Sequence, residues 1–271
     1  FTAVKETLQT FAKDPQWHLQ GRLGFIAVIH TWSQKLMDHF HLHCLIPAGV
    51  LSFTKDSWIP ANESFLFRVE SLAKEIKKRY LDYRATAYRK GELIFPGNTA
   101  RFESPQGFAQ LLESLLEATW IAYAKRPFAG PEQVLEYLGR YTHRVAITNN
   151  RIISILNGKV TFTYRDRQDN NKIKPMDLPA DEFIGRFLLH VLPRGFMKIR
   201  YFGFLAHTNK RQAVSLIRRL LGVDTSVEKT KETIPEMMFR LTGTDITCCP
   251  RCEKGTMTVI KKLPRHYYDS S

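Results

Sequence analysis

Residues 23–47, LGFIAVIHTWSQKLMDHFHLHCLIP, contain the two strands that organise the predicted structure. The run over residues 23–30 is continuously apolar, which is typical of a buried strand. Residues 41–47 predict a second strand, which ends at Pro47 and Gly49 because proline cannot donate to a strand ladder. A short connection separates the two strands, and the sequence therefore predicts that they pair.

The second strand begins within a histidine cluster, His39, His41 and His43. Alternate residues of a strand share a face, so these rings are expected to point the same way. His41 and His43 can chelate one metal ion, and an imidazole is expensive to bury without a partner. His30, at the end of the preceding strand, is the first candidate for a third ligand, with Gln34 second and His39 also open. The alternative is that these histidines bond the backbone or one another.

The neighbouring residues indicate which metal chemistry to expect. No acidic residue follows the histidines closely, since Asp56 is the first one. This argues against a metal-hydroxide hydrolase and favours an ion that polarises a phosphate oxygen. Three imidazoles suit Mn²⁺ or another transition ion better than Mg²⁺, although Mg²⁺ is abundant in cells. The expected cofactor is therefore a divalent ion, Mn²⁺ or Mg²⁺.

A predicted helix over residues 131–144 carries two tyrosines, Tyr137 and Tyr141, one turn apart on the same face. Arg140 and Arg144 form a second pair with this spacing and are expected to bind DNA phosphates. A phenol has a pKa of about 10, so a nearby metal and arginines are needed to stabilise the phenolate. With two tyrosines, one could hold the first cut strand of a nucleic acid while the other cuts the second strand. The alternative is an amphipathic helix whose tyrosines only pack.

The charge of the chain favours a nucleic-acid partner. It has 40 Lys and Arg residues against 26 Asp and Glu residues, a net charge of +14. Such an excess favours a polyanion, although a basic protein without one is the alternative. Residues 140–223 interleave cations with aromatic rings that can stack on unpaired bases. The further candidates for DNA contact in this segment are Lys172, Lys174, Lys198 and Arg200.

The cysteines favour a reducing compartment. Four of them, Cys44, Cys248, Cys249 and Cys252, are too few and too clustered for a disulfide framework. No apolar run approaches the roughly 20 residues of a membrane span. We therefore expect a cytoplasmic protein with no membrane partner, and leave a homo-oligomer open.

Cys249 and Cys252 form a Cys-x-x-Cys knuckle that can hold a structural Zn²⁺ ion. Such a site needs two more ligands, for which Cys248, His266 or a second chain are the candidates. The alternative is a simple pair of reduced cysteines.

The rest of the chain predicts mixed helices and antiparallel strands. Helices are expected at residues 3–13, 63–90, 105–125, 131–144 and 179–192, and a basic helix with a linker at 206–235. Asn157-Gly158 predicts a two-residue hairpin turn between strands at 151–156 and 159–164. A further strand is expected at 196–205. The predicted fold class is therefore α+β, a central antiparallel sheet flanked by helices.

The motifs and their order resemble one known family, the two-tyrosine HUH transposases of rolling-circle insertion sequences. Residues 29–34 and 39–52 are similar to the metal-binding segment of that family, and residues 137–147 to its tyrosine segment. The similarity continues through residues 164–166 and 192–196. It covers most of residues 20–215 and implies a bacterial protein that is associated with the nucleoid.

The resemblance implies an HUH-nuclease, ferredoxin/palm-like architecture and a divalent metal held by His41 and His43. It implies action on single-stranded DNA at element ends, through a 5′-phosphotyrosine on Tyr137 or Tyr141 and a free 3′-hydroxyl. His30 lies eleven residues before His41, a spacing that resembles the third metal histidine of the related conjugative relaxases. A replication initiator or relaxase would use the same chemistry, and a non-catalytic DNA-binding remnant is the remaining alternative.

Two parts are expected along the chain. Residues 1–205 are predicted to form the catalytic domain, with a helical insertion at about 56–128, and residues 206–271 a basic C-terminal region with the cysteine knuckle. Members of the family usually carry a cysteine-rich zinc-binding region before the catalytic part. The printed sequence begins without one, so a fragment or a shortened copy is expected.

Overall fold

The computed structural model describes residues 1–62, 66–128, 130–142, 146–223, 233–252 and 254–258, with only the backbone at 140–142. The chain divides into two compact units, Phe1–Val223 and Asp224–Ser271. Helices and antiparallel strands are mixed in the first unit, so the predicted α+β class is confirmed. Among the described helices, none combines the length and the apolar character that crossing a membrane requires.

The described strands form three antiparallel sheets of three strands each. The strands are β1 (Gly21–Arg22), β2 (Phe25–Trp32), β3 (Asp38–Leu45), β4 (Gly49–Ser52), β5 (Trp58–Pro60), β6 (Ile152–Leu156), β7 (Lys159–Asp166), β8 (Lys172–Pro179) and β9 (Ile199–Phe202). Their orders are β1-β4-β5, β3-β2-β9 and β6-β7-β8.

The described residues form seven α-helices. They are α1 (Thr2–Lys13), α2 (Val69–Arg89), α3 (Pro105–Glu117), α4 (Pro131–Thr142), α5 (Ala180–Leu188), α6 (Lys210–Leu220) and, in the second unit, α7 (Ile234–Thr242). Short 3-10 helices lie at Pro15–Trp17, Gly97–Phe102, Asn149–Arg151 and Gly203–Leu205.

The strand β2 is the centre of the sheet that carries the histidines. It pairs antiparallel with β3 on one edge and with β9 on the other. The pairing of β2 with β3 was predicted from the sequence. Its residues Phe25, Ala27 and Val28 are all buried. A core of α1 and strand residues covers it, in which Leu8 and Ala12 of α1 pack with Phe25. The strand therefore has apolar cover, as its sequence requires.

A second core fixes the connection between β2 and β3. Leu36, in that connection, is completely buried with Phe162 of β7 and Leu178 of β8. The guanidinium of Arg151 donates to the Gln34 carbonyl at 2.6 Å, and Arg186 of α5 donates to the Lys35 carbonyl at 3.1 Å. The tip of the β2–β3 hairpin is thus docked on the β6-β7-β8 sheet by one apolar side chain and two arginines.

The predicted hairpin around Asn157-Gly158 is confirmed. Leu156 pairs with Lys159, and Asn157 and Gly158 both have positive φ, 51° and 71°, as a two-residue turn between twisted strands needs. The sequence did not predict β8, which extends this hairpin to three strands through its pairing with β7.

Several predicted elements are shorter in the structure. The helix expected to reach residue 125 ends at Glu117, where Lys77 of α2 donates to the carbonyls of Leu116 and Ala118. This lysine satisfies carbonyls that a helix end leaves without intrahelical partners. The strand expected over residues 196–205 ends at Phe202, because Gly203 turns the chain with φ of +59°.

We predict that Gly203→Ala strongly destabilises the first unit. A Cβ built at Gly203 would lie 1.7 Å from the Leu23 carbonyl oxygen, so the segments before β2 and after β9 would have to separate. We expect a loss of roughly 3 kcal/mol or more in urea unfolding, since strain and a backbone clash combine. Gly91→Ala is the matched control, because Gly91 has a φ of +68° and no described atom within 4 Å of its added Cβ. It should cost only about 1–2 kcal/mol, and equal losses would contradict the account.

Candidate metal and tyrosine site

The pairing of β2 with β3 brings three histidines together. His30 lies directly opposite His41, and His43 follows on the same face of β3. One potential ligand atom from each of the three lies within 4.8 Å of the other two. The ring centroids are 5.4 Å apart for His30 and His41, 4.6 Å for His30 and His43 and 4.9 Å for His41 and His43. His30, the first candidate for a third ligand, therefore lies beside the predicted pair of His41 and His43.

This donor set fits a divalent transition ion. Metal–imidazole bonds are about 2.1 Å long, so two nitrogens on one ion lie roughly 3–4 Å apart, close to what is found here. His30 is buried, whereas His41 and His43 are half-buried. Three protein ligands leave coordination positions for an oxygen of a substrate.

The outer nitrogens of the β3 histidines have oxygen partners. Nδ1 of His41 lies 2.7 Å from the His39 carbonyl oxygen and, since a carbonyl only accepts, carries the donated proton. Nδ1 of His43 lies 3.2 Å from the Tyr137 hydroxyl. A metal-binding imidazole typically makes such a bond with its second nitrogen. An ion in this cluster would therefore be held through Nε2 of both His41 and His43.

The other two ligand candidates are placed differently. The side-chain oxygen of Gln34 accepts from the backbone N–H of Arg165 at 3.4 Å, which turns this residue toward β7. His39 is exposed, and its ring lies 4.6 Å from that of His41, outside the group of three. In the described part of the chain, the cluster is thus His30, His41 and His43.

Helix α4 brings one predicted tyrosine to this cluster. Tyr137 is half-buried, with its ring 6.3 Å from His43 and 5.3 Å from Phe128. Tyr141 lies one turn further along the backbone of α4, but its side chain and that of Arg140 are outside the described part, as is the whole of Arg144. The arrangement therefore holds the Tyr137 hydroxyl beside His43, a candidate metal ligand.

The predicted DNA-contact residues fall into two groups. Lys172 and Lys174 lie on β8, where Lys174 pairs with Asp166 and Asp169 at 2.9 Å, and these carboxylates raise its pKa. Lys172 pairs with Asp169 at 3.1 Å. Such exposed pairs offset part of the charge that a phosphate would meet.

The second group lies on the sheet of the histidines. The Lys198 ammonium lies 5.0 Å from the centroid of Trp32, and the Trp32 ring stacks on His30 at 4.8 Å. Burial lowers the pKa of Lys198. Arg200 of β9 lies over the Phe1 ring at 4.5 Å. Lys198 is therefore linked to His30 of the candidate metal cluster through the ring of Trp32.

The sequence did not predict a role for His190, which hydrogen-bonds to residues on both ends of the segment after His30. It is buried, with Nδ1 3.1 Å from the Thr31 hydroxyl and Nε2 3.1 Å from the Leu36 carbonyl. The carbonyl only accepts, so Nε2 donates and Nδ1 accepts from Thr31. His190 thus ties the residue after His30 to the hairpin tip. The available signal was a histidine within the apolar run after α5, which implies a buried partner.

We predict that Thr31 and His190 are energetically coupled. Thr31→Val and His190→Phe should each cost roughly 1–3 kcal/mol in urea unfolding, because each leaves a buried polar atom unpaired. The double variant should cost clearly less than the sum, since it removes both ends of one bond. Thr208→Val, at an exposed position, is the control and should change stability by less than about 0.5 kcal/mol. A loss in the double variant equal to the sum of the two single losses would contradict a stabilising bond between Thr31 and His190.

Comparisons with known proteins agree on the type of protein. The family model Y2_Tnp, described as "Putative transposase", matches residues 24–213. "Putative transposase y4qJ" of Sinorhizobium fredii is 42% identical over 266 residues, covering 96% of this chain and 66% of that protein. "Transposase for insertion sequence element IS801" of Pseudomonas savastanoi pv. phaseolicola is 25% identical over 236 residues, 85% of this chain and 55% of that protein.

The chain thus spans 66% and 55% of the lengths of these two relatives. No solved structure matches it. The range matched by the family model contains β2, β3 and α4, and with them the histidine cluster and Tyr137. By this match over most of its length, the chain belongs to the Y2_Tnp family of transposases.

Proposed function

We propose that this chain nicks single-stranded DNA at the ends of an insertion sequence and transfers the cut strand through a tyrosine–DNA link. The observation that carries the proposal is the 3.2 Å distance between the Tyr137 hydroxyl and Nδ1 of His43, within a cluster of three histidines. Family membership supplies the biological setting, since the relatives are named as transposases. The expected site of action is the bacterial cytoplasm, where the target DNA lies.

The histidines would hold a divalent ion, Mn²⁺ or Mg²⁺. When bound, such an ion polarises a phosphate oxygen and neutralises charge that develops on the phosphorus centre. If Nε2 of His43 bound the ion, Nδ1 would keep its proton and donate a hydrogen bond to the Tyr137 oxygen. The same imidazole therefore favours the phenolate form of Tyr137 by a charge-assisted hydrogen bond. The buried stack of His30 on Trp32 keeps the third ring in place.

The chemical step is a transesterification. The Tyr137 oxygen, having lost its proton to solvent, attacks the scissile phosphorus and forms a new P–O bond. The bond from phosphorus to the 3′ oxygen breaks, and that oxygen takes up a proton and leaves as a 3′-hydroxyl. The 5′ side of the DNA remains esterified to the tyrosine. Because one phosphodiester replaces another, a 3′-hydroxyl can reverse the step without ATP.

Tyr141 is the proposed second nucleophile. It occupies the same helix one turn after Tyr137, the spacing that puts two side chains on one face. One tyrosine can then retain the first strand end while the other cuts again.

The neighbouring cations are the proposed contacts to the DNA backbone. Lys198 and Arg200 lie on the strand segment that pairs with β2, and Lys198 is in ring contact with Trp32. An excess of positive charge across the chain favours binding of a polyanion at low salt. Arg140 and Arg144 are proposed for the scissile phosphate itself, from their spacing on α4. Lys172 and Lys174 are assigned a weaker, screened contribution because of their acidic partners.

We predict a covalent protein–DNA adduct that depends on the tyrosines. The protein is incubated with single-stranded oligonucleotides that contain candidate element ends, with Mn²⁺ or Mg²⁺, and analysed on denaturing gels. Tyr137→Phe and Tyr141→Phe together should abolish the adduct, because no phenol oxygen remains to attack. His41→Ala should slow its formation by at least about tenfold, since even second-layer changes at metal sites cost that much.

His39→Ala is the matched control. It removes an exposed imidazole beside His41 but leaves the backbone carbonyl that accepts from His41, so adduct formation should be nearly unchanged. Cleavage that survives the loss of both tyrosines would instead indicate attack by metal-activated water. Binding of the oligonucleotide with no adduct under any metal would favour a non-catalytic DNA-binding protein.

A further inference from the structure

We propose that Cys249 and Cys252, in the second unit, bind a zinc ion through two thiolates. This site is distinct in sequence, fold unit and ligand type from the histidine cluster. It does not depend on the DNA chemistry proposed above.

The two cysteines lie in the loop of a small antiparallel hairpin. Cys248 and Thr256 form an antiparallel bridge, and the Met257 N–H donates to the Thr247 carbonyl at 2.6 Å. One step inward, the Cys249 N–H donates to the Gly255 carbonyl at 2.7 Å. The hairpin ladder thus brings the chain before Cys249 and the chain after Cys252 together, so the two cysteines share one tight turn.

The backbone of this turn can stabilise a negative charge on Sγ of Cys252. The Gly255 N–H donates to Sγ of Cys252 at 3.4 Å, a bond that is stronger when the sulfur is a thiolate. A Cβ built at Gly255 would lie 3.3 Å from Sγ of Cys252 and 3.7 Å from Cβ of Cys249. Glycine therefore permits the close approach of this N–H to the sulfur. Both cysteines thus lie beside Gly255, close enough in the turn to share one ion.

The chemistry of the donors selects the ion. Two thiolates two residues apart are typical of half a tetrahedral zinc site, and soft sulfur ligands discriminate against Mg²⁺ and Mn²⁺. Each thiol gives up a proton when it binds the ion. Cys252 is exposed and Cys249 half-buried, so zinc can reach them. Cys44 is the contrasting thiol, because burial raises its pKa to about 12 and keeps it protonated.

A tetrahedral zinc site needs two more ligands. The chain that supplies them determines the number of zinc ions per chain. Ligands from the same chain would give one ion per chain. The same two cysteines of a second copy would give four thiolates around one ion shared by two chains. The thiolate pair is common to both arrangements, and the experiment below separates them.

The test uses the full chain in a His30→Ala, His41→Ala, His43→Ala background, which removes the competing imidazole ligands. The protein is loaded with Co²⁺ or Zn²⁺ under reducing conditions and passed through gel filtration. We expect thiolate-to-cobalt charge-transfer absorption in the near ultraviolet and zinc that stays bound. Cys249→Ser and Cys252→Ser should each lower the bound zinc by at least about tenfold.

Cys44→Ala is the matched control and should retain both signals, because it removes a thiol of the first unit that burial keeps protonated. One zinc per monomer would support the site with ligands from one chain, and one zinc per dimer would support it with ligands from two copies. Absence of the charge-transfer band in the parent protein would overturn the proposal without relying on any cysteine variant. So would zinc retention in both Cys249→Ser and Cys252→Ser, or a Cys249–Cys252 disulfide in protein purified anaerobically with reductant.

Discussion

The antiparallel register between β2 and β3 is the constraint on which the candidate site depends. It sets His30 opposite His41 and leaves His43 on the same face, so that three ligand atoms lie within 4.8 Å. Side chains alternate between the faces of a strand, so a slip of one residue would turn the β3 histidines away from His30. Packing of β3 on the core resists that slip, since Cys44, opposite Ala27, would turn away from the core.

The far end of the hairpin is held by contacts from distant parts of the chain. Leu36 is buried against the β6-β7-β8 sheet, and the carbonyls beside it accept from Arg151 and Arg186. His190 adds one hydrogen bond to β2, at the Thr31 hydroxyl, and one to the hairpin tip, at the Leu36 carbonyl. The family match over residues 24–213 includes all of these residues. The β6-β7-β8 sheet thus serves as the support on which the histidine hairpin is aligned.

Local signals predicted much of this from sequence. The apolar run, the alternating histidines and the Asn157-Gly158 turn each act over a few residues, and all three predictions of local structure are confirmed. What could not be predicted depends on distant contacts. The early end of α3 requires Lys77 from another helix, the role of His190 requires Thr31, and the engagement of Gln34 requires the neighbouring sheet. The pairing of β8 with β7 likewise had no local turn signature.

The most direct test of the account is anomalous X-ray diffraction from crystals of the chain soaked with Mn²⁺. The account predicts one ion bound by Nε2 of His41, Nε2 of His43 and a ring nitrogen of His30, at metal–nitrogen distances of about 2.1–2.3 Å. The Tyr137 hydroxyl should remain bonded to Nδ1 of His43 on the far side of that ring. An empty histidine cluster at saturating Mn²⁺, or an ion held by Gln34 or His39 in place of His30, would contradict it.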